Sequence, residues 1–404
     1  MVIRLASFWS PKARLWLEGR KLVFTLLQEQ IPTTGKKIIW MHCASLGEFE
    51  QGRPLLEKIR SKYEDSFILL TFFSPSGYEI QKKYKGADLV TYLPMDGRKN
   101  ARMFLDIVKP SLAIFVKYES WFHYLKTLRE REIPTMLIAA IFKAEQNYFG
   151  VFGGFLRQML NYYNHIFVQD RSSLELITSH HIRSSASISG DTRFDRVQEI
   201  ASMPFQNSII DSFCKNSQVI VAGSSWKEDE EILSEYMKDH PEIKAIIAPH
   251  EIDAKSIARL QSLFPNAVLL TEVNEQIDST VNILIINTMG MLSRLYRWST
   301  ISYIGGGFNK SGIHNILEAA VYGKITVFGP SYHRSGEAEA LVGLGGAYTF
   351  GNYAELKGLL DNLFRNPLER QKGESTALHF VQKNLGATHI ILDYIQKLPG
   401  FKNQ

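Results

Sequence analysis

The chain has 404 residues, a formal charge of +5, 45% hydrophobic and 22% charged residues, a length too great for one core and suited to two domains of roughly 180–200 residues each. Its ordinary apolar and charged fractions exclude a disordered chain. The modest charge, with no block of about five or more Lys/Arg, excludes a nucleic-acid-binding footprint but suits anionic substrates.

Residues 1–30 carry Leu5, Phe8, Trp9, Leu15, Trp16, Leu17, Leu22, Val23 and Phe24 interleaved with Arg4, Lys12, Arg14, Arg20 and Lys21. A basic, Trp-bearing amphipathic stretch can lie on an anionic membrane surface; a helix packed on the core explains it equally well. Charges break the apolar segment and no small-residue cleavage site follows, so a signal peptide is not expected. No run of about 18 apolar residues occurs anywhere. One disulfide between Cys43 and Cys214 stays open, free thiols of a reducing compartment being the favoured reading, and no metal-type Cys/His spacing occurs.

From residue 37 the pattern alternates. Strands are expected at 37–46, 67–71, 89–93, 111–116, 134–140 and 165–168, with helices after residue 48 and near 77–85, 98–108, 120–131, 150–163 and 171–179. Strands alternating with helices predict a doubly wound parallel sheet. After a linker at Ser202–Asn207 the pattern restarts, with strands at 218–222, 244–248, 267–270, 282–286, 300–304 and 325–328. The expected division is 1–30, a first domain at 31–203, a second at 204–380, and a C-terminal helix at 381–404 that can pack back on the first domain. Both halves open with an apolar strand, a small-residue turn and an acidic helix. Ligands of such sheets sit at the carboxyl ends of the strands, so both turns are expected to face a cleft.

Five segments at strand ends can carry chemistry, and Arg193 is a candidate partner for an anionic donor. Ala44-Ser45-Leu46-Gly47-Glu48 delivers a carboxylate to a helix start, where it can serve as a general base or simply cap the helix. Ile304 to Glu318 holds three glycines, Gly312, and Asn315 and Glu318 on one face of a helix expected to begin near Ser311–His314. Glycines admit a close ligand and a helix start holds phosphate, which favours nucleotide binding over a structural turn. Pro249-His250 follows another strand, Glu119 sits near Trp121, and Arg193 lies in Gly190–Asp195; an ordinary ion pair or surface His accounts for each as well. Ser74, Ser76 and Gly77 end a further strand, where a Pro–Ser turn is equally possible. No Gly-x-Gly-x-x-Gly follows a strand in the dinucleotide pattern, and Walker A, Asp-x-Asp and Gly-x-Ser-x-Gly motifs are missing, as is metal-ligand His spacing.

Taken in order across roughly 37–350, Cys43–Glu48, Thr71–Gly77, Tyr92–Asp96, Glu119 with Trp121, Gly190–Asp195, Ala248–His250, Asn287–Gly290, Gly305–Glu318 and Phe328–Pro330 resemble the Kdo (3-deoxy-D-manno-octulosonic acid) transferases of lipopolysaccharide assembly. The resemblance implies a GT-B glycosyltransferase with two Rossmann-like domains facing a central cleft. It implies inverting, metal-independent, cofactor-free transfer from CMP-Kdo to a lipid A precursor (lipid IVA) at the cytoplasmic face of the inner membrane. By the same resemblance Glu48 is the general base, Glu119 and Arg193 stabilise the transition state, and Ser45, Gly47, Ser74, Ser76 and Gly77 line the donor–acceptor cleft. Pro249, His250, Met289, Gly290, Met291, Gly312, Asn315, Ile316, Leu317 and Glu318 match CMP contacts. The chain departs from the family at Arg193 (usually Lys), His250 (usually Arg), and Met291 and Lys117 (both usually Glu). The family often carries an N-terminal anchor, and the basic amphipathic stretch is read here as a shortened or absent one, leaving peripheral or N-terminally anchored attachment open. Two other readings stay open: another GT-B sugar-nucleotide enzyme (a UDP-sugar transferase or epimerase), and a non-catalytic CMP-binding relative.

Overall fold

The computed structural model describes residues 9–33, 35–117, 119–274 and 277–402. Two compact units emerge, one of residues 1–196 with 385–404, the other of 197–384. The crossing from first to second falls inside the helix Thr192–Ser202, upstream of the linker expected at 202–207.

The first unit holds β1 (Ile38–Cys43), β2 (Phe67–Phe72), β3 (Leu89–Tyr92), β4 (Leu112–Val116), β5 (Thr135–Ala140), β6 (His165–Val168) and β7 (Ser185–Ile188). All pair in parallel in the order β3-β2-β1-β4-β5-β6-β7. A parallel sheet is covered on both faces, which is why β1 reads as an unbroken apolar run and is buried along its whole length. Its side chains alternate between two layers. Trp40 packs with Tyr92, Phe104, Phe115 and Tyr124 on one side, while Met41 and Cys43 join Phe49, Leu55 and Phe72 on the other. Ile391, Ile395 and Phe401 of the C-terminal segment belong to that second layer. The helix Ala387–Lys397 packs on Leu46–Lys62 and is pinned by Asp195, whose carboxylate accepts the Gly386 and Thr388 N–H groups at 2.7 and 2.6 Å.

The second unit repeats the plan with β8 (Val219–Ser225), β9 (Lys244–Pro249), β10 (Val268–Leu269), β11 (Ile283–Ile285), β12 (Ile301–Ile304), β13 (Thr326–Phe328) and β14 (Ala347–Thr349), all parallel, ordered β10-β11-β9-β8-β12-β13-β14. In both sheets the strand order reverses beside the first strand, between β1 and β4 and between β8 and β12. A crevice opens at the carboxyl ends of strands at such a reversal. The loops that follow those four strands carry most of the residues singled out above. Strands β7 and β14 were not expected: both are short sheet edges, and Ser185-Ala-Ser-Ile188 has little β-forming character.

At the N-terminus, Arg4, Leu5 and Phe8 lie outside the described residues. Beyond them the chain forms the helices Pro11–Glu18 and Val23–Gln30. Arg20 anchors the junction, donating to the carbonyls of Trp16, Phe73 and Leu93 with its guanidinium over the Trp16, Phe73 and Tyr92 rings. Val23 and Leu27 are buried, whereas Trp9 and Leu22 are 80% and 71% exposed beside exposed Lys12, Arg14 and Lys21. No helix of the described residues is long and apolar enough to cross a membrane. Cys43 and Cys214 are free thiols, the former buried.

Candidate functional site

In the first unit the turn after β1 meets the turn after β4. Ser45 begins the helix Leu46–Lys62, and the Glu48 carboxylate reaches back to accept the Ser45 backbone N–H at 2.7 Å and hydroxyl at 3.0 Å, both on Oε2. The capping geometry is thus present. It occupies only one carboxylate oxygen, and Glu48 is half-buried at the β1/β4 reversal, so the same side chain is placed to take a proton. Gly47 is exposed on the same first turn.

Glu119 is only 4% exposed. Its carboxyl accepts the Trp121 indole N–H and the Ala44 backbone N–H, so it grips the very turn that presents Glu48. Burial pushes the Glu119 carboxyl up to about 8, the Glu48 charge adding to the rise while the two N–H donors oppose it. Its carbonyl accepts the Tyr163 hydroxyl at 2.9 Å. Beside it stands His42, absent from the candidates because it sat in an apolar run. Its Nε2 lies 3.6 Å from Glu119 Oε2 with no hydrogen-bond partner among the described residues. Burial draws the imidazole down to about 3, the Thr71 backbone opposing and the Arg20 charge reinforcing.

The turn after β2 closes this cluster. The Ser74 N–H donates to the Ala44 carbonyl at 2.7 Å, and Ser74 caps the helix Pro75–Gln81 by accepting the Ser76 N–H while the two hydroxyls bond at 2.8 Å. Gly77 is needed because a Cβ there would lie 2.3 Å from the Phe72 ring. Arg193 is half-buried in the first turn of the helix Thr192–Ser202, after β7, and pairs with Asp191, Nη2 to Oδ2 at 2.7 Å. Its neighbour Thr192 bonds the Gln51 carbonyl at 2.5 Å, so that turn is docked on the helix that carries Glu48.

In the second unit, three aromatic rings stack at strand ends. Trp226, after β8, lies flat on His250, after β9, with centroids 4.4 Å apart. His314, beyond β12, tilts against His250 at 4.5 Å, and its Nε2 accepts the Trp226 indole N–H at 3.3 Å. Burial, with the His250 charge adding, brings His314 down to about 4, so it is neutral near pH 7. Of this trio the sequence singled out only His250. Pro249 ends β9, and His250 is exposed. Met289 is 78% exposed, Gly290 takes φ +83°, and Met291 precedes the short helix Leu292–Leu295.

Two expectations about the glycine loop are corrected. The helix begins at Leu317, not near Ser311–His314, and Gly312 stands in the loop with φ +85°. Its N–H is taken by the Asn309 carbonyl, while those of Ile313 and His314 go to Ser331 and Gly305, so this stretch offers no helix-start amides to a phosphate. Second, the room at Gly305 and Gly307 is filled by the protein itself: a Cβ would lie 2.2 Å from the Ser224 carbonyl oxygen or 2.4 Å from the Gly329 nitrogen. These glycines let two loops touch rather than cradling a ligand. Asn315, Ile316, Leu317 and Glu318 do form one turn. The Asn315 Oδ1 accepts the Leu317 N–H at 3.1 Å and its Nδ2 reaches Glu318 Oε1 at 3.4 Å.

Residues 19–196 match the family described as 3-deoxy-D-manno-octulosonic-acid transferase (Kdo transferase). The chain is 26% identical over 383 residues to the 3-deoxy-D-manno-octulosonic acid transferase of Rickettsia felis, spanning 91% of this chain and 80% of that one. It is 24% identical to the enzyme of the same name from Haemophilus influenzae, spanning 89% and 86%. Among solved structures it resembles the UDP-GlcNAc 2-epimerase of Neisseria meningitidis bound to UDP-GlcNAc, with a TM-score of 0.63, 16% identity and coverage of 90% and 100%. It also resembles a glycosyltransferase from Rickettsia africae, with a TM-score of 0.55, 14% identity and coverage of 92% and 100%. These likenesses identify the fold as GT-B, two parallel α/β domains.

Proposed function

We propose that the chain, a glycosyltransferase whose residues 19–196 match the Kdo transferase family, moves Kdo from CMP-Kdo to lipid IVA in one inverting displacement that needs no metal. The observation that carries this reading is the pairing of carboxyl groups at the β1/β4 reversal, Glu48 half-buried and Glu119 buried behind it. Glu48 takes the proton of the acceptor hydroxyl; the oxygen attacks the anomeric carbon of Kdo as the bond to CMP breaks on the opposite face. Glu119 fixes the Glu48 turn through Ala44, and Arg193 supplies positive charge for the developing anion. The Trp226–His250–His314 stack is a flat surface suited to a nucleobase, with Pro249 at its edge. The Asn315–Glu318 turn, with Met289, Gly290 and Met291, completes the CMP contacts, Glu318 accepting from ribose hydroxyls; Gly312 shapes the loop before it.

The acceptor's acyl chains remain in the bilayer, and the exposed Trp9 and Leu22 among exposed Lys12, Arg14 and Lys21 support attachment of the first unit to the cytoplasmic face of the inner membrane. The test is Kdo transfer from CMP-Kdo, generated in situ, to tetra-acylated lipid IVA in the presence of EDTA. Product is expected from the wild type and not from Glu48→Ala. CMP binding without product from the wild type would reject the reading in favour of another sugar nucleotide or a non-catalytic relative.

A further inference from the structure

The His42 imidazole is fully buried, and its outer nitrogen is aimed at a carboxyl group without a bond of its own. A buried polar atom left in that state is costly unless a proton is shared across the gap. The other face of the ring decides which way. Thr71 Oγ1 accepts the Trp40 indole N–H at 2.8 Å, lies 2.9 Å from His42 Nδ1, and donates to the Met41 carbonyl at 3.4 Å. With its own hydrogen committed to Met41, Thr71 can only accept from Nδ1–H. The ring proton therefore sits on Nδ1, and Nε2 faces Glu119 as an acceptor.

We propose that His42 is a positioning residue that keeps a proton on Glu119, its Nε2 accepting the hydrogen bond of the Glu119 carboxylic acid. The pair is neutral, as its burial requires. The 3.6 Å separation closes to hydrogen-bond length by a small rotation of the carboxyl group. Glu119 then adds no second negative charge beside Glu48 at the β1/β4 reversal; two carboxylates there would repel each other and the anionic sugar. The other titratable groups around the pair are Glu48 on the helix after β1, Cys43 on β1, Arg20 from the N-terminal helices, and Tyr148 and Tyr163 from the chain beyond β5. Of these, Glu48 raises the Glu119 carboxyl group, and Arg20 lowers the His42 imidazole.

The inference rests on the reading that Glu119 works beside Glu48, yet it is tested without substrate, so its failure is distinguishable from failure of the transfer assay. Infrared difference titration of the full chain, with Glu119→Gln as the blank, follows the protonated carboxyl of Glu119 directly. In His42→Phe, which has no acceptor, the midpoint is expected to fall by about one pH unit, the worth of one hydrogen bond. In His42→Asn, whose Oδ1 can accept, it should stay within roughly half a unit of wild type. Thr71→Val removes the group that holds the ring proton on Nδ1 and should lower the midpoint in the same direction, which keeps the test intact if His42→Phe does not fold. A midpoint that is unchanged or raised in His42→Phe or Thr71→Val would overturn the proposal, as would His42→Asn shifting as far as Phe.

Discussion

Asp229 Oδ2 accepts the Gly306 N–H at 2.8 Å. The same carboxylate takes the Trp226 N–H at 2.9 Å and the Tyr303 hydroxyl at 2.9 Å, so a single buried side chain fixes the turn after β8, the end of β12 and the glycine loop. Asp229→Ala leaves three donors unpaired, two of them buried, and the expected loss is about 3 kcal/mol of the second unit's stability. Urea unfolding checks this, and CMP binding should weaken in the folded fraction because Trp226 is no longer held under His250. Asp229→Asn, which keeps one acceptor oxygen, should fall between the two.

Capping and catalysis by Glu48 separate cleanly. Ser45→Ala removes the hydroxyl that bonds Glu48 and should lower stability by about 1 kcal/mol, with transfer rates within a few-fold of wild type. Glu48→Ala should cost about as much stability but at least about 100-fold in rate. Equal rate losses for the two, measured with tetra-acylated acceptor, would reduce Glu48 to a cap.

Stability should depend on pH in a recognisable way. His42, drawn from 6.5 down to about 3, is uncharged in the fold, so unfolding takes up a proton below 6.5 and stability falls as pH drops through that range. Glu119, raised from 4.5 to about 8, keeps its proton in the fold but loses it on unfolding above 4.5. Stability therefore falls as pH rises from 4.5 to 8 on its account. The two slopes oppose between 4.5 and 6.5 and leave a net decline from 6.5 to 8. Thermal melts should show that decline in wild type and not in Glu119→Gln.

His250 stands where the family usually has Arg. His250→Arg keeps a flat group to stack on Trp226 and adds a fixed charge with a forked donor set. CMP should bind roughly tenfold tighter, the worth of one charge-assisted hydrogen bond. Calorimetric titration with CMP checks this. Unchanged affinity would mean that position 250 does not meet the phosphate.

The two sheets were legible because their strands, buried on both faces, are near-continuous apolar runs. The helix after residue 48 was legible because helical spacing places Leu55, Leu56 and Ile59 on one face, which is fully buried. Glu48 stood out as a carboxylate just past a strand-ending turn. His42 could not be seen this way: in Ile-Ile-Trp-Met-His-Cys it has the look of core, and its meaning comes from Glu119, which only the β1–β4 pairing brings alongside. The helix expected at Ser311–His314 was misplaced because polar residues next to glycine look like a cap, whereas three loop amides there are spent on the carbonyls of Asn309, Ser331 and Gly305. Trp226 and His314 carried no signal, since a stack of rings from three strand ends has no sequence spacing.

The pinning of Gly386 and Thr388 to Asp195, and of Phe401 against Tyr63, has a consequence for the order of assembly on the ribosome. All seven strands of the first sheet emerge before residue 197, yet one of its faces is finished only by side chains beyond 385. The whole second unit is therefore synthesised while the first waits with part of an apolar layer uncovered, a partly folded state prone to association. Loss of the last helix would be felt as misfolding of the earliest-made half of the molecule, far from the cut in sequence.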